Sequence, residues 1–79
     1  MNINRKEEEN FKIRNYGKSE LASLYIPDIA PYSAADVLRK WIAKAPGLAE
    51  ALAASGLKPK DKRYTPAQVQ MIVSVIGEP

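Results

Sequence analysis

The sequence predicts a mainly α-helical fold, a small helix-turn-helix-like domain of about four short helices with a two-stranded β-ribbon. Three observations predict it. Gly17-Lys18-Ser19-Glu20 and Ser33-Ala34-Ala35-Asp36 are successive helix-start signals, each followed by apolar residues at helical spacing. The order is that of a helix-turn-helix, in which a first helix buttresses a second that can lie in a DNA groove. Between Arg39 and Arg63 seven basic residues stand against only Glu50 and Asp61, in a chain of net charge +3.

Met1–Asn10 reads as a flexible polar tail or a helical turn ahead of the domain, because only Met1 and Ile3 could anchor it before Arg5-Lys6-Glu7-Glu8-Glu9. Residues 11–79 then form one domain. Phe11-Lys12-Ile13-Arg14 alternates apolar and basic, the period of a half-buried strand with Phe11 and Ile13 inward. Its expected partner in the ribbon is Lys62–Tyr64. The first helix is expected from Lys18 to Tyr25, with Glu20 reaching back to the Gly17 amide and Leu21, Leu24 and Tyr25 on one face. Pro27 ends it through its effect on Ile26.

A connection through Asp28–Tyr32 follows, longer than a standard helix-turn-helix turn, with Ile29 and Tyr32 expected beneath the helices. The second helix is expected to start at a Ser33 cap with Asp36 at the third helical position. On it Val37, Leu38, Trp41, Ile42 and Ala45 cover one side, Trp41 as a core anchor, and Asp36, Arg39, Lys40 and Ala43 the other. Pro46-Gly47 leads into a third helix, Leu48–Ala54, with Gly56 as a left-handed terminus closed by Leu57. Lys58–Arg63 is a charged loop. Thr65-Pro66-Ala67-Gln68 starts the last helix, in which Val69, Ile72, Val73 and Ile76 make the buried stripe and Gly77 the stop. Met71 and Val75 form a second apolar strip, a candidate contact with this chain's own N-terminal segment, a second copy or another protein. Tyr16, Tyr25, Tyr32 and Tyr64 border the elements as core-edge residues with hydroxyls in water.

Composition narrows the function. A chain of 79 residues hides only roughly 60% of its unfolded surface, so nearly every apolar residue is needed for stability. Cysteine and histidine are both absent, which removes disulfides, most zinc sites and every Ser-His or Cys-His catalytic pair. The expectation is a non-catalytic protein without a cofactor or metal. No apolar run approaches the roughly 20 residues that cross a bilayer and no secretory signal is visible, so a cytoplasmic protein with no membrane contact is expected.

The candidate DNA-binding residues are Arg39, Lys40 and Lys44 on the second helix and Lys58, Lys60, Lys62 and Arg63 in the loop. Arginine can contact guanine in bidentate fashion and lysines can meet phosphates, each neutralised phosphate releasing counterions. The candidate partner is therefore double-stranded DNA. The alternative is a protein-interaction module or small homodimer using Met71 and Val75.

Tyr16-Gly17-Lys18-Ser19-Glu20-Leu21-Ala22, Leu38-Arg39-Lys40-Trp41-Ile42, Tyr64-Thr65-Pro66-Ala67-Gln68-Val69 and the terminal Ile76-Gly77-Glu78-Pro79, taken together, resemble a family of small Bacteroides-type proteins, domain of unknown function 4248. The resemblance covers about Phe11 to Pro79 and implies no activity, since the family has none assigned. A looser likeness runs to excisionase and MerR-type winged helices. Lys18, Glu20, Leu21 and Ala22 match the first helix of that pattern, Arg39, Trp41 and Ile42 the second, and Tyr64, Thr65 and Val69 a later element. The long Ile26–Tyr32 connection and the Leu48–Ala54 helix depart from it.

Overall fold

A computed structural model describes residues 11–79; the tail expected at Met1–Asn10 lies outside the described residues. The elements follow in the order β1 (Tyr16–Gly17), α1 (Lys18–Tyr25), α2 (Pro31–Lys44), α3 (Leu48–Ala54), β2 (Arg63–Tyr64) and α4 (Pro66–Ile76). The mainly helical class with one small antiparallel ribbon is thus observed, and two helix boundaries have legible chemical causes. Glu20 Oε1 accepts the Gly17 N–H at 3.0 Å at the start of α1. Thr65 Oγ1 accepts the Gln68 N–H at 3.2 Å while Gln68 Oε1 accepts the Thr65 N–H at 2.9 Å, a reciprocal cap that starts α4 at Pro66.

The second helix begins earlier than the Ser33 signal predicts. Ala30 is the extended N-cap, Pro31 the first helical residue, and the Ala34 N–H donates to the Ala30 carbonyl at 2.9 Å. Proline has its φ preset for the first helical position and lacks the N–H that would go unpaired there, so Pro31 overrides the serine cap. The α1–α2 connection shortens to Ile26–Ala30 as a result. Ile29 and Tyr32, expected beneath the helices, are exposed, Tyr32 at 77%.

The ribbon forms two residues later than the alternating Phe11–Arg14 pattern predicts. Tyr16 pairs with Tyr64 and Gly17 with Arg63, antiparallel. Phe11–Arg14 instead folds back on Tyr16. The Phe11 ring stacks on it at 5.4 Å, the Arg14 guanidinium lies 3.8 Å from its ring centre, and its hydroxyl donates to the Lys12 carbonyl at 2.9 Å. Ile13 is left exposed. Tyr16 and Tyr64 are core residues, not edge residues, each only 4% exposed.

The core is built from Tyr16, Leu21, Ala22, Ala34, Leu38, Ile42, Leu48, Leu52, Tyr64, Val69 and Ile72. Its stripe on α2 is Ala34, Leu38 and Ile42, and α2 packs against α1, α3 and α4. That rotates Trp41 to the margin. It is 39% exposed and meets Tyr25 edge-on, ring centres 6.2 Å apart, so it is a flank and not the core anchor. Leu24, expected in the core, is 47% exposed. Gly47 holds φ 78° at the start of α3, a left-handed turn that favours glycine. At the other end Gly56 has φ 104° and the Leu57 N–H donates back to the Leu52 carbonyl at 3.1 Å, closing the helix as its sequence predicts. Gln68, almost fully buried, donates to Ser55 Oγ at 3.0 Å and so ties α4 to the end of α3.

Candidate functional site

The ribbon determines where the charged loop lies. One residue beyond the Gly17–Arg63 pair, the Lys18 N–H donates to the Lys62 carbonyl at 2.9 Å, which holds the loop against the first turn of α1. Within the loop the Lys58 N–H donates to Asp61 Oδ2 and the Asp61 N–H to the Lys58 carbonyl, both at 3.0 Å. This closed turn around Pro59 is ordered by its own backbone, although it has little apolar surface to bury.

A cleft of about 650 Å³ opens between this loop, α2 and α3. Ile42, Leu52 and Leu57 line its apolar part, and Lys18, Arg39, Lys58, Asp36, Asp61 and the exposed Tyr32 stand around it. A shallower groove shares Lys18, Ala35, Pro59 and Asp61 with it and adds Ser19, Lys60 and Lys62. The two depressions therefore adjoin, and between them they are lined by Lys18, Arg39, Lys58, Lys60 and Lys62.

The remaining expected site residues lie apart from these. Lys40 and Lys44 are exposed on α2 but line neither depression. Arg63 turns toward α1, donating to Asn15 Oδ1 and approaching Glu20 at 3.9 Å. Lys18 was not among the residues expected to bind; its sequence signal was absorbed by the helix start. Only the Lys18–Lys62 backbone bond across the ribbon brings it into the basic group.

Acidic groups temper the surface unevenly. Asp36 accepts from Arg39 and pairs with Lys40 at 3.4 Å. The Arg39 hydrogen bond, then the Lys40 one, holds its carboxyl below the usual aspartate value. The Gly17 N–H, and after it Arg14, lowers Glu20 in the same way. Burial pushes the Tyr64 hydroxyl up. Lys18, Lys58, Lys60 and Lys62, by contrast, form no ion pair with a described residue. The two depressions thus carry four lysines without an ion pair, with Asp61 among them, beside one arginine that Asp36 already orients.

The profile of the family Domain of unknown function (DUF4248) matches residues 12–79, a span that includes both strands, all four helices and the whole basic group. The chain belongs to this family. Comparison of this DUF4248 chain with curated proteins and with solved structures finds no match. Among its described residues no group of three or more acidic side chains is arranged to hold a metal ion, and no helix is long and apolar enough to cross a membrane.

The DUF4248 chain has a second, separate depression. Pro46, Gly47, Leu48 and Ala51 of the α3 start and Gln70, Met71, Ser74 and Val75 of α4 line it. Met71 is half-buried against the core and Val75 is 53% exposed, so of the second apolar strip the described part of the chain leaves Val75 uncovered.

Proposed function

We propose that this protein is a non-catalytic, helix-turn-helix-type module that binds double-stranded DNA with the Lys58–Lys62 loop, Lys18 and the outer side of α2. The observation that carries the reading is that Arg39, Lys58 and Lys18 line one depression while Lys60 and Lys62 line a second that shares Lys18 with it, an arrangement that suits contact with a single duplex. In this reading α1 is the support and α2 the element offered to the groove. Lys18, Lys58, Lys60 and Lys62 meet phosphates and set the register, while Arg39 contacts a base edge. Lys40 and Lys44 extend the same charge along α2 toward flanking phosphates. Lack of histidine and cysteine fits a binding role without covalent or proton-transfer chemistry. The expected location is cytoplasmic.

Fluorescence anisotropy with labelled duplexes of mixed sequence tests this. Lys60→Ala should weaken all duplexes alike, and Arg39→Ala should cost about 1–3 kcal/mol on a preferred duplex and less on others. Equal loss on every duplex from Arg39→Ala would leave phosphate binding without base reading, and no binding by the unaltered protein at low salt would end the proposal.

A further inference from the structure

We infer that the cleft between the Lys58–Lys62 loop, α2 and α3 binds a small amphipathic carboxylate, its apolar body against Ile42, Leu52 and Leu57 and its head at Lys18 and Tyr64. The inference goes beyond DNA binding and does not depend on it. It calls on the apolar lining, which a duplex, with its phosphates outermost, leaves unfilled.

Tyr64 supplies the observation that points to a ligand. It is 4% exposed and lines the cleft, yet its hydroxyl makes no hydrogen bond with a described residue. Tyr16 and Tyr25, by contrast, donate to the Lys12 and Gly77 carbonyls. Nor is the Tyr64 oxygen sealed off, because Ser23 Oγ is the side-chain oxygen that the described residues bury without a partner. The Tyr64 hydroxyl is therefore reached from outside, and the cleft is the opening that Tyr64 lines. A buried polar group that folding leaves unpaired is stabilised by a ligand that completes its hydrogen bond.

Charge sets the class of head group. The Lys18 ammonium lies 5.7 Å from the centre of the Tyr64 ring and forms no ion pair with a described residue. A charged donor and a neutral one thus stand together at the same wall. Asp36 and Asp61 also line the cleft, against Lys18, Arg39 and Lys58. Asp36 is already engaged by Arg39 and Lys40, and Asp61 accepts the Lys58 N–H. Three cations to two carboxylates is the balance of a site for one negative charge, and so for a monocarboxylate.

The rest of the lining calls for an apolar body on that head. Ile42 and Leu52 are buried and Leu57 half-buried, and Ala35 on α2 with Ala49 and Ala53 on α3 keep the space between the helices open. Its volume of about 650 Å³ lies inside the roughly 300–1,000 Å³ of small-molecule sites, which are mostly apolar with a few placed polar groups.

Titration of the full chain without DNA, with naphthoate and separately with octanoate, followed by amide chemical shifts, tests this. Saturable shifts at Ala53, Leu57 and Tyr64 are expected, and the tighter of the two acids tells whether the body is aromatic or aliphatic. The matching alcohols, naphthalenemethanol and octanol, should bind about tenfold more weakly, since they make no charged hydrogen bond. Lys18→Met should weaken the acids by about the same factor and Tyr64→Phe by roughly 2- to 10-fold. Ala53→Trp, which fills the cleft from an exposed position, should abolish saturation with unchanged helical circular dichroism. Lys12→Met, which removes the same charge at an exposed position outside the cleft, should bind like the parent. No saturable shift with either acid, equal affinity for acids and alcohols, or undiminished binding by both Lys18→Met and Ala53→Trp would overturn the inference, whatever the outcome with duplexes.

Discussion

Lys18 donates its backbone N–H to the Lys62 carbonyl at 2.9 Å, so two cations distant in the chain are held at adjoining points by a main-chain bond. The bond extends the short ladder in which Tyr16 pairs with Tyr64. Burial of both tyrosine rings therefore does two things: it closes the core, and it fixes the basic loop beside α1. Tyr64→Ala should cost about 3–5 kcal/mol in urea unfolding, the range for a buried aromatic ring. Where the variant still folds, hydrogen exchange should show the Lys18 amide losing protection before the helix amides do.

The α2 phase makes a ranking testable. Leu38 is fully buried, and Leu38→Ala should cost about 2–5 kcal/mol. Trp41, though larger, is 39% exposed, and Trp41→Ala should cost only about 1–2 kcal/mol, chiefly the partial burial and its edge contact with Tyr25. The opposite order in denaturant titrations would mean that Trp41 faces the core after all.

How much of this was legible depends on which signals competed. The bounds of α1 and α4 follow from single unopposed caps, Gly17 with Glu20 and Thr65 with Gln68, and both are observed as the sequence predicts. At α2 two signals lay close together, and Pro31 prevailed over the Ser33–Asp36 box. Alternation at Phe11–Arg14 resembled a strand, but the aromatic and guanidinium contacts with Tyr16 are local and leave that segment folded on itself. The core stripe of α2 is hard to place from sequence because alanine has little weight in a hydrophobic pattern, whereas Ala34 is fully buried. The basic loop residues were visible as charge. Their grouping with Lys18 was not, since it depends on a strand register that no local pattern specifies.

Gln68 gives a prediction about a buried polar group. It accepts from the Thr65 N–H and donates to Ser55. Gln68→Leu keeps the volume but leaves the Thr65 N–H without its acceptor and Ser55 Oγ without its donor, and should destabilise by roughly 1–3 kcal/mol. Thr65→Ala, which removes the other half of the cap, should cost about 1 kcal/mol. Thermal unfolding monitored by circular dichroism checks both.

Acid should weaken the N-terminal cap in a defined direction. The Gly17 N–H and Arg14 lower the Glu20 carboxyl from its ordinary value of 4.5. A lowered folded value means that the stabilisation is complete above the ordinary value and lost as pH falls through the lowered one. Glu20→Gln keeps an acceptor for the Gly17 N–H but removes the charge. The melting temperature of the parent should therefore exceed that of the variant near neutrality and converge with it in acid; a constant difference would contradict the ion-pair part of this account.

Asp36 should separate affinity from discrimination. It pairs with Arg39 and Lys40 on the side of α2 that the proposed function assigns to DNA. Asp36→Ala removes a negative charge that repels phosphate, and also the group that orients Arg39. Binding to arbitrary duplexes should strengthen, while the ratio between preferred and arbitrary duplexes should fall. Loss of binding to both would show that Asp36 supports the fold instead.

The most direct measurement is the salt dependence of duplex binding for the parent protein and for the double variant Lys60→Ala, Lys62→Ala. Neutralised phosphates release counterions, so log affinity should fall linearly as log salt rises. Removing two phosphate contacts should flatten the slope by about 2. A parent protein that fails to bind at low salt, or a slope unchanged by loss of the two loop lysines, would contradict the claim that the loop and α2 form a surface for DNA.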